Sequence, residues 1–71
     1  MEQVITRDEF EDVLFSNTLT VVQKDSEVSH MIHLTNLYVI ENNEAVAVYK
    51  RVISSCGSTV KTDFFFENLK G

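Results

Sequence analysis

Apolar and polar positions along the chain follow two rhythms. Near the start, Phe10, Val13 and Leu14 recur at i, i+3 and i+4, with Glu11 and Asp12 on the other side, which is helical spacing. Ahead of them stands Thr6-Arg7-Asp8-Glu9, a capping box in which the Thr6 hydroxyl accepts from the Glu9 amide and Glu9 reaches back to Thr6. Ile5 and Phe10 occupy the staple positions around that cap. Asp8 and Glu9 suit the positive end of the helix dipole, and Ser16-Asn17 is a suitable stop. A helix of about ten residues is too short to hold alone and needs a sheet to lie on.

Beyond the helix the rhythm becomes that of strands. A first strand is expected over Thr18–Lys24, followed by a polar turn at Lys24-Asp25-Ser26-Glu27. A second runs from Val28 to Glu41, with a bend or bulge where Thr35-Asn36 interrupts its apolar pattern. A third runs from Ala45 to Ser54, and a fourth from Thr59 to Glu67. The centre of this region is Leu37–Val48, two β-rich runs around Asn42-Asn43. Asn tolerates positive φ, so the pair suits a two-residue hairpin turn. Cys56-Gly57 is the expected second turn, with Gly57 supplying positive φ.

These turns define a register. With Asn42-Asn43 as the turn, Ile40 faces Ala45, Val39 faces Val46, Tyr38 faces Ala47 and Leu37 faces Val48. Alternation then sorts Leu34, Tyr38, Ile40, Ala47 and Tyr49 onto one face, A, and Leu37, Val39, Val46, Val48 and Lys50 onto the other, B. With Cys56-Gly57 as the second turn, Tyr49 meets Phe64 and Ala47 meets Phe66 on face A, while Lys50 meets Asp63 and Val48 meets Phe65 on face B. Two small residues, Ala45 and Ala47, make face A the natural bed for the helix. The expected fold is α+β, a single small domain over residues 1–71: one short N-terminal helix packed on a four-stranded antiparallel β-meander, order 1-2-3-4.

Composition narrows the function. The 71 residues are 44% hydrophobic, enough for a core, but a domain of this size buries only about 60% of its unfolded surface. A single Cys allows no intrachain disulfide, and no zinc motif is present, so oligomerisation is the remaining common stabiliser. The first ten residues carry charges and no long apolar run, so no export signal is expected, and no stretch approaches the ~20 apolar residues of a membrane helix. A reducing cytoplasm is the expected setting. Six basic against eleven acidic residues give a net charge of −5, which disfavours phosphate-driven binding; no direct nucleic-acid partner and no membrane is expected.

Candidate chemistry is sparse. His30 and His33 are three positions apart, so in a strand they point to opposite faces and do not chelate one ion. Cys56 has no identifiable base or oxyanion donors around it. Glu41, Glu44, Glu9, Glu11 and Asp12 are scattered and read as a solvated acidic rim. No metal, cofactor or catalytic residue is assigned. Phe64-Phe65-Phe66 is the distinctive feature: Phe65 must point away from the face that takes Phe64 and Phe66. It would complete an apolar patch with Leu37, Val39, Val46 and Val48 on face B, and exposed patches of this kind mark interaction sites.

The expected function is therefore that of a non-enzymatic interaction protein, binding a protein partner or a second copy of itself through Leu37, Val39, Val46, Val48 and Phe65. A small inhibitor or accessory factor of a phage or mobile element fits this description. The alternative is a ligand-binding or enzymatic module with a pocket between helix and sheet near Tyr38, Tyr49 and His30. A curled sheet that closes face B inside a small barrel is the alternative for the fold.

Overall fold

The computed structural model describes residues 2–70. Its elements in chain order are β1 (Glu2–Val4), α1 (Arg7–Phe15), β2 (Val21–Val28), β3 (Ile32–Glu41), β4 (Glu44–Cys56) and β5 (Thr59–Asn68). All strands join one antiparallel sheet of five, ordered β1-β5-β4-β3-β2. This corrects the expected four-stranded meander. The added strand is β1, which pairs Glu2, Gln3 and Val4 with Glu67, Phe66 and Phe65. The Ile5 amide extends the pairing by donating to the Phe64 carbonyl at 2.9 Å. Three residues are too few to display a strand period, so only the free edge of β5 reveals this strand. β1 and β2 form the two edges of an open sheet, so the described residues close no barrel.

Helix α1 begins where its local chemistry dictates. Thr6 is extended and its side chain accepts from the Glu9 amide at 3.2 Å. Phe10 and Val13 are buried against Leu37, with Ile5, Leu14, Val21, Val39, Tyr49 and Phe64 packed around them. The Phe10 and Phe64 rings lie 5.3 Å apart at a tilt of 49°. Nine helical residues span only about 14 Å, whereas the molecule is 43 Å in its longest dimension. The helix therefore covers only part of one sheet face.

The strand bounds and registers differ from expectation in several places. Lys24–Glu27 is not a turn; it belongs to β2 and pairs with Leu37 through Leu34. These polar residues mark an exposed edge strand, where charge discourages pairing with other chains. The reversal lies further on, where the Ser29 amide bonds the Ile32 carbonyl. Thr18–Thr20 is not strand, and β2 begins at Val21. Thr35 and Asn36 sit in regular register with Arg51 and Lys50, so the expected bulge is absent there.

One irregularity falls at Val22, between the pairs Val21–Val39 and Gln23–Tyr38, and another at Val46. Asn42 and Asn43 take φ of 53° and 67°, and Ile40 opposes Ala45 as the turn requires. The pairing then slips: Val39 opposes Ala47, Tyr38 opposes Val48 and Leu37 opposes Tyr49. Val46 is left as the extra residue of a β-bulge, and its carbonyl accepts from the Leu69 amide at 2.9 Å. A one-residue slip moves each side chain of a strand to the other face relative to its partner. Leu37 and Val39 consequently lie under the helix, and Tyr38 lies on the opposite face. The second hairpin also shifts. Cys56 pairs with Thr59, so the turn is Gly57-Ser58, with Gly57 at φ 61°. Tyr49 opposes Phe66 and Lys50 opposes Phe65, a move of two positions that leaves faces unchanged.

Candidate interaction face

The sheet face away from α1 is covered by no element of the described residues. Strand alternation builds it from Leu34, Asn36 and Tyr38 of β3, Val48 and Lys50 of β4, Phe65 and Glu67 of β5, and Glu2 of β1. Together they line a shallow hollow of about 300 Å³. Its apolar centre is Tyr38, Val48 and Phe65, all half-buried. Tyr38 and Val48 are direct cross-strand partners, and Phe65 stands opposite Lys50 on the next strand.

One charge pair organises this face. The Lys50 Nζ lies 2.6 Å from Glu2 Oε2 and 5.2 Å from the centre of the Phe65 ring. The ammonium thus bridges β4 to β1 across the aromatic surface, within cation–π range. The expected Lys50–Asp63 pair is absent, because the Gly57-Ser58 turn carries Asp63 to a position opposite Val52. Asp63 instead lies 3.8 Å from Lys61.

The structure divides the five residues read from the sequence as an interface. Val48 and Phe65 line the uncovered hollow. Leu37 is 1% exposed in the core beneath α1, and Val39 packs against that core. Val46, at the bulge, borders a separate hollow with Leu19 and Ile40. Tyr38, Leu34 and Glu2 complete the uncovered face in their place. Strand alternation would have found Tyr38 and Leu34 had the bulge been visible; nothing in the sequence marks Glu2.

Other candidate chemistry remains dispersed. His30 and His33 are exposed, and His30 lies in the β2–β3 connection, away from Tyr49. Tyr38 and Tyr49 occupy opposite faces, so the pocket expected near Tyr38, Tyr49 and His30 is not formed by those residues. Tyr49 packs on Phe66, with ring centres 4.9 Å apart. Burial, with a smaller contribution from the Glu9 carboxylate, raises its hydroxyl pKa above the ordinary 10.0. Cys56 is an exposed free thiol at the end of β4. Among the described residues, no group of three or more His, Cys, Asp or Glu is placed to hold a metal ion, and no helix is long and apolar enough to cross a membrane.

A family model described as the phage T4 Cef protein family matches residues 1–64. Protein cef of Enterobacteria phage T4 is 56% identical over 39 residues, which are 55% of this chain and 54% of that protein. The match thus spans about half the length of that curated relative. No solved structure matches the chain.

Proposed function

This chain belongs to the phage T4 Cef protein family, and we propose that it is a non-enzymatic phage accessory protein that acts by binding protein through the uncovered face of its sheet. The observation that carries the reading is the juxtaposition of Tyr38, Val48 and Phe65 on a face that no element of the described residues covers. Its occupant is a second copy of the chain, packed sheet to sheet at the ~10 Å separation such faces adopt. The size of the core supports this choice. Among the described residues the buried apolar core is only Phe10, Val13, Leu37 and Ala47, and small domains without disulfide or metal commonly gain stability by association. An isologous pair is the default symmetry. Exposed Cys56 suits a reducing cytoplasm, where it stays a thiol. Inhibition of another protein would use the same face in exchange for the second copy.

Sedimentation equilibrium tests the proposal. The unaltered protein should be a dimer at micromolar concentration. Val48→Glu and Phe65→Glu should each give folded monomers, because the interface would have to bury an unpaired carboxylate, with far-ultraviolet circular dichroism unchanged. An unaltered protein that stays monomeric at high concentration would overturn self-association through this face.

A further inference from the structure

The helix side of the sheet carries a second hollow, and beside it stands a cation that no carboxylate of the described residues neutralises. Arg51 lies on β4, on the face that α1 covers. Its Nη2 donates to the Thr35 hydroxyl at 3.3 Å, and its guanidinium carbon lies 5.7 Å from the centre of the Phe10 ring. Its Nε is buried without a hydrogen-bond partner. The ion pairs among the described residues are Arg7–Glu11, Lys50–Glu2 and Lys61–Asp63, and none includes Arg51. A guanidinium taken partly out of water without a counter-charge keeps the desolvation cost and lacks the attraction that offsets it. One bond to a neutral hydroxyl and the face of Phe10 compensate in part.

The hollow lies between α1 and the β4–β5 pair and measures about 310 Å³, at the small end of ligand sites. Apolar side chains of Phe10, Leu14, Ile53 and Phe64 line it together with Arg51, and Phe15, 75% exposed, is part of its lining. Glu11 and Arg7 also border the hollow, but Glu11 Oε1 is held 3.0 Å from Arg7 Nε. Those two charges cancel, and Arg51 leaves the hollow with one net positive charge in a chain of net charge −5.

We propose that this hollow binds a small organic anion, an aromatic or short aliphatic carboxylate. Its acid group pairs with the Arg51 guanidinium, the geometry that makes Arg selective for carboxylates. Its apolar body packs on Leu14, Ile53 and Phe64. The site is on the face opposite the one proposed to bind protein, so it stands whether or not the chain dimerises.

The test is a titration followed by ¹⁵N nuclear magnetic resonance, with phenylacetate as the probe and 2-phenylethanol as its uncharged counterpart. Phenylacetate should give saturable shifts at the Arg51 side-chain Nε–H and at the amides of Ile53, Thr62 and Phe64. The alcohol should bind about tenfold more weakly, as should phenylacetate to Arg51→Gln, because each change removes a charged hydrogen bond. Lys61→Gln, which removes a different, exposed cation, should leave the affinity unchanged. No saturable shift, or equal affinity for acid and alcohol, would overturn the proposal. Undiminished phenylacetate binding by folded Arg51→Gln would do the same. The acid–alcohol comparison uses the unaltered protein, so it decides the matter even where the Arg51 variant does not fold.

Discussion

The two faces of the sheet are built from the same kinds of residue and have opposite fates. On one, Leu37, Val39, Tyr49 and Phe64 meet Phe10 and Val13 of the helix and form the core. On the other, Tyr38, Val48 and Phe65 form an apolar centre beside the Lys50–Glu2 pair that no element of the described residues covers. The difference does not lie in hydrophobicity. It lies in a single extra residue at Val46, which decides which half of β3 faces the helix. A bulge therefore acts here as a switch of faces, and the surface left for binding is whatever that switch leaves uncovered.

The comparison breaks most sharply at neighbouring positions of β3 and β4. Leu37→Ala should cost about 2–5 kcal/mol, the range for truncating a buried leucine that leaves a cavity. Val48→Ala, on the uncovered face, should cost less than half of that in the monomer, since truncating a side chain open to solvent on one side leaves no closed cavity. Urea midpoints of the two variants, measured where the protein is monomeric, check the contrast. Equal losses would mean that both faces are core.

A smaller effect tests the element that makes one face the core. Thr6→Ala should cost about 1 kcal/mol, because the Glu9 amide loses its cap. The loss should appear in the melting midpoint while dimerisation remains, as the helix lies on the other face. An unchanged midpoint would show that the cap does not hold the helix down.

The smallest effect is read by pH. Burial and the Glu9 charge raise the Tyr49 pKa above 10.0 in the folded state, so folding favours the protonated phenol. That contribution is fully present below pH 10.0 and is lost as pH climbs through the folded value, where the folded state holds the proton more tightly than the unfolded one. Thermal melts between neutral and alkaline pH should fall less steeply for Tyr49→Phe than for the unaltered protein. Parallel falls would place Tyr49 in water rather than under the helix.

What could be read from sequence was local. Thr6-Arg7-Asp8-Glu9 specifies a cap within four residues, and Thr6 makes that bond. Asn42-Asn43 specifies a turn, and both residues take positive φ. The bulge was not legible, because Ala45-Val46-Ala47-Val48 presents small or β-branched side chains in either register. It depends on a partner distant in sequence, the Leu69 amide on the Val46 carbonyl. β1 was hidden for a related reason: three residues have no period, and their pairing needs the free edge of β5. Lys24–Glu27 has the polarity of a turn, but it is also the polarity of an edge strand, and only its pairing with β3 separates the two. The interface residues divided along the same line. Val48 and Phe65 were assigned from β4 and β5, whose relative faces survive a two-residue shift. Leu37 and Val39 were assigned across the bulge.

The most direct measurement is the set of nuclear Overhauser contacts from the Phe10 ring. With the bulge at Val46, Phe10 should contact the methyl groups of Leu37, and the Tyr38 ring should contact Val48 with no contact to the helix. Contacts from Phe10 to the Tyr38 ring, with Leu37 methyls near Val48 and Phe65, would show an unbulged hairpin and contradict the division of the sheet into a covered and an open face.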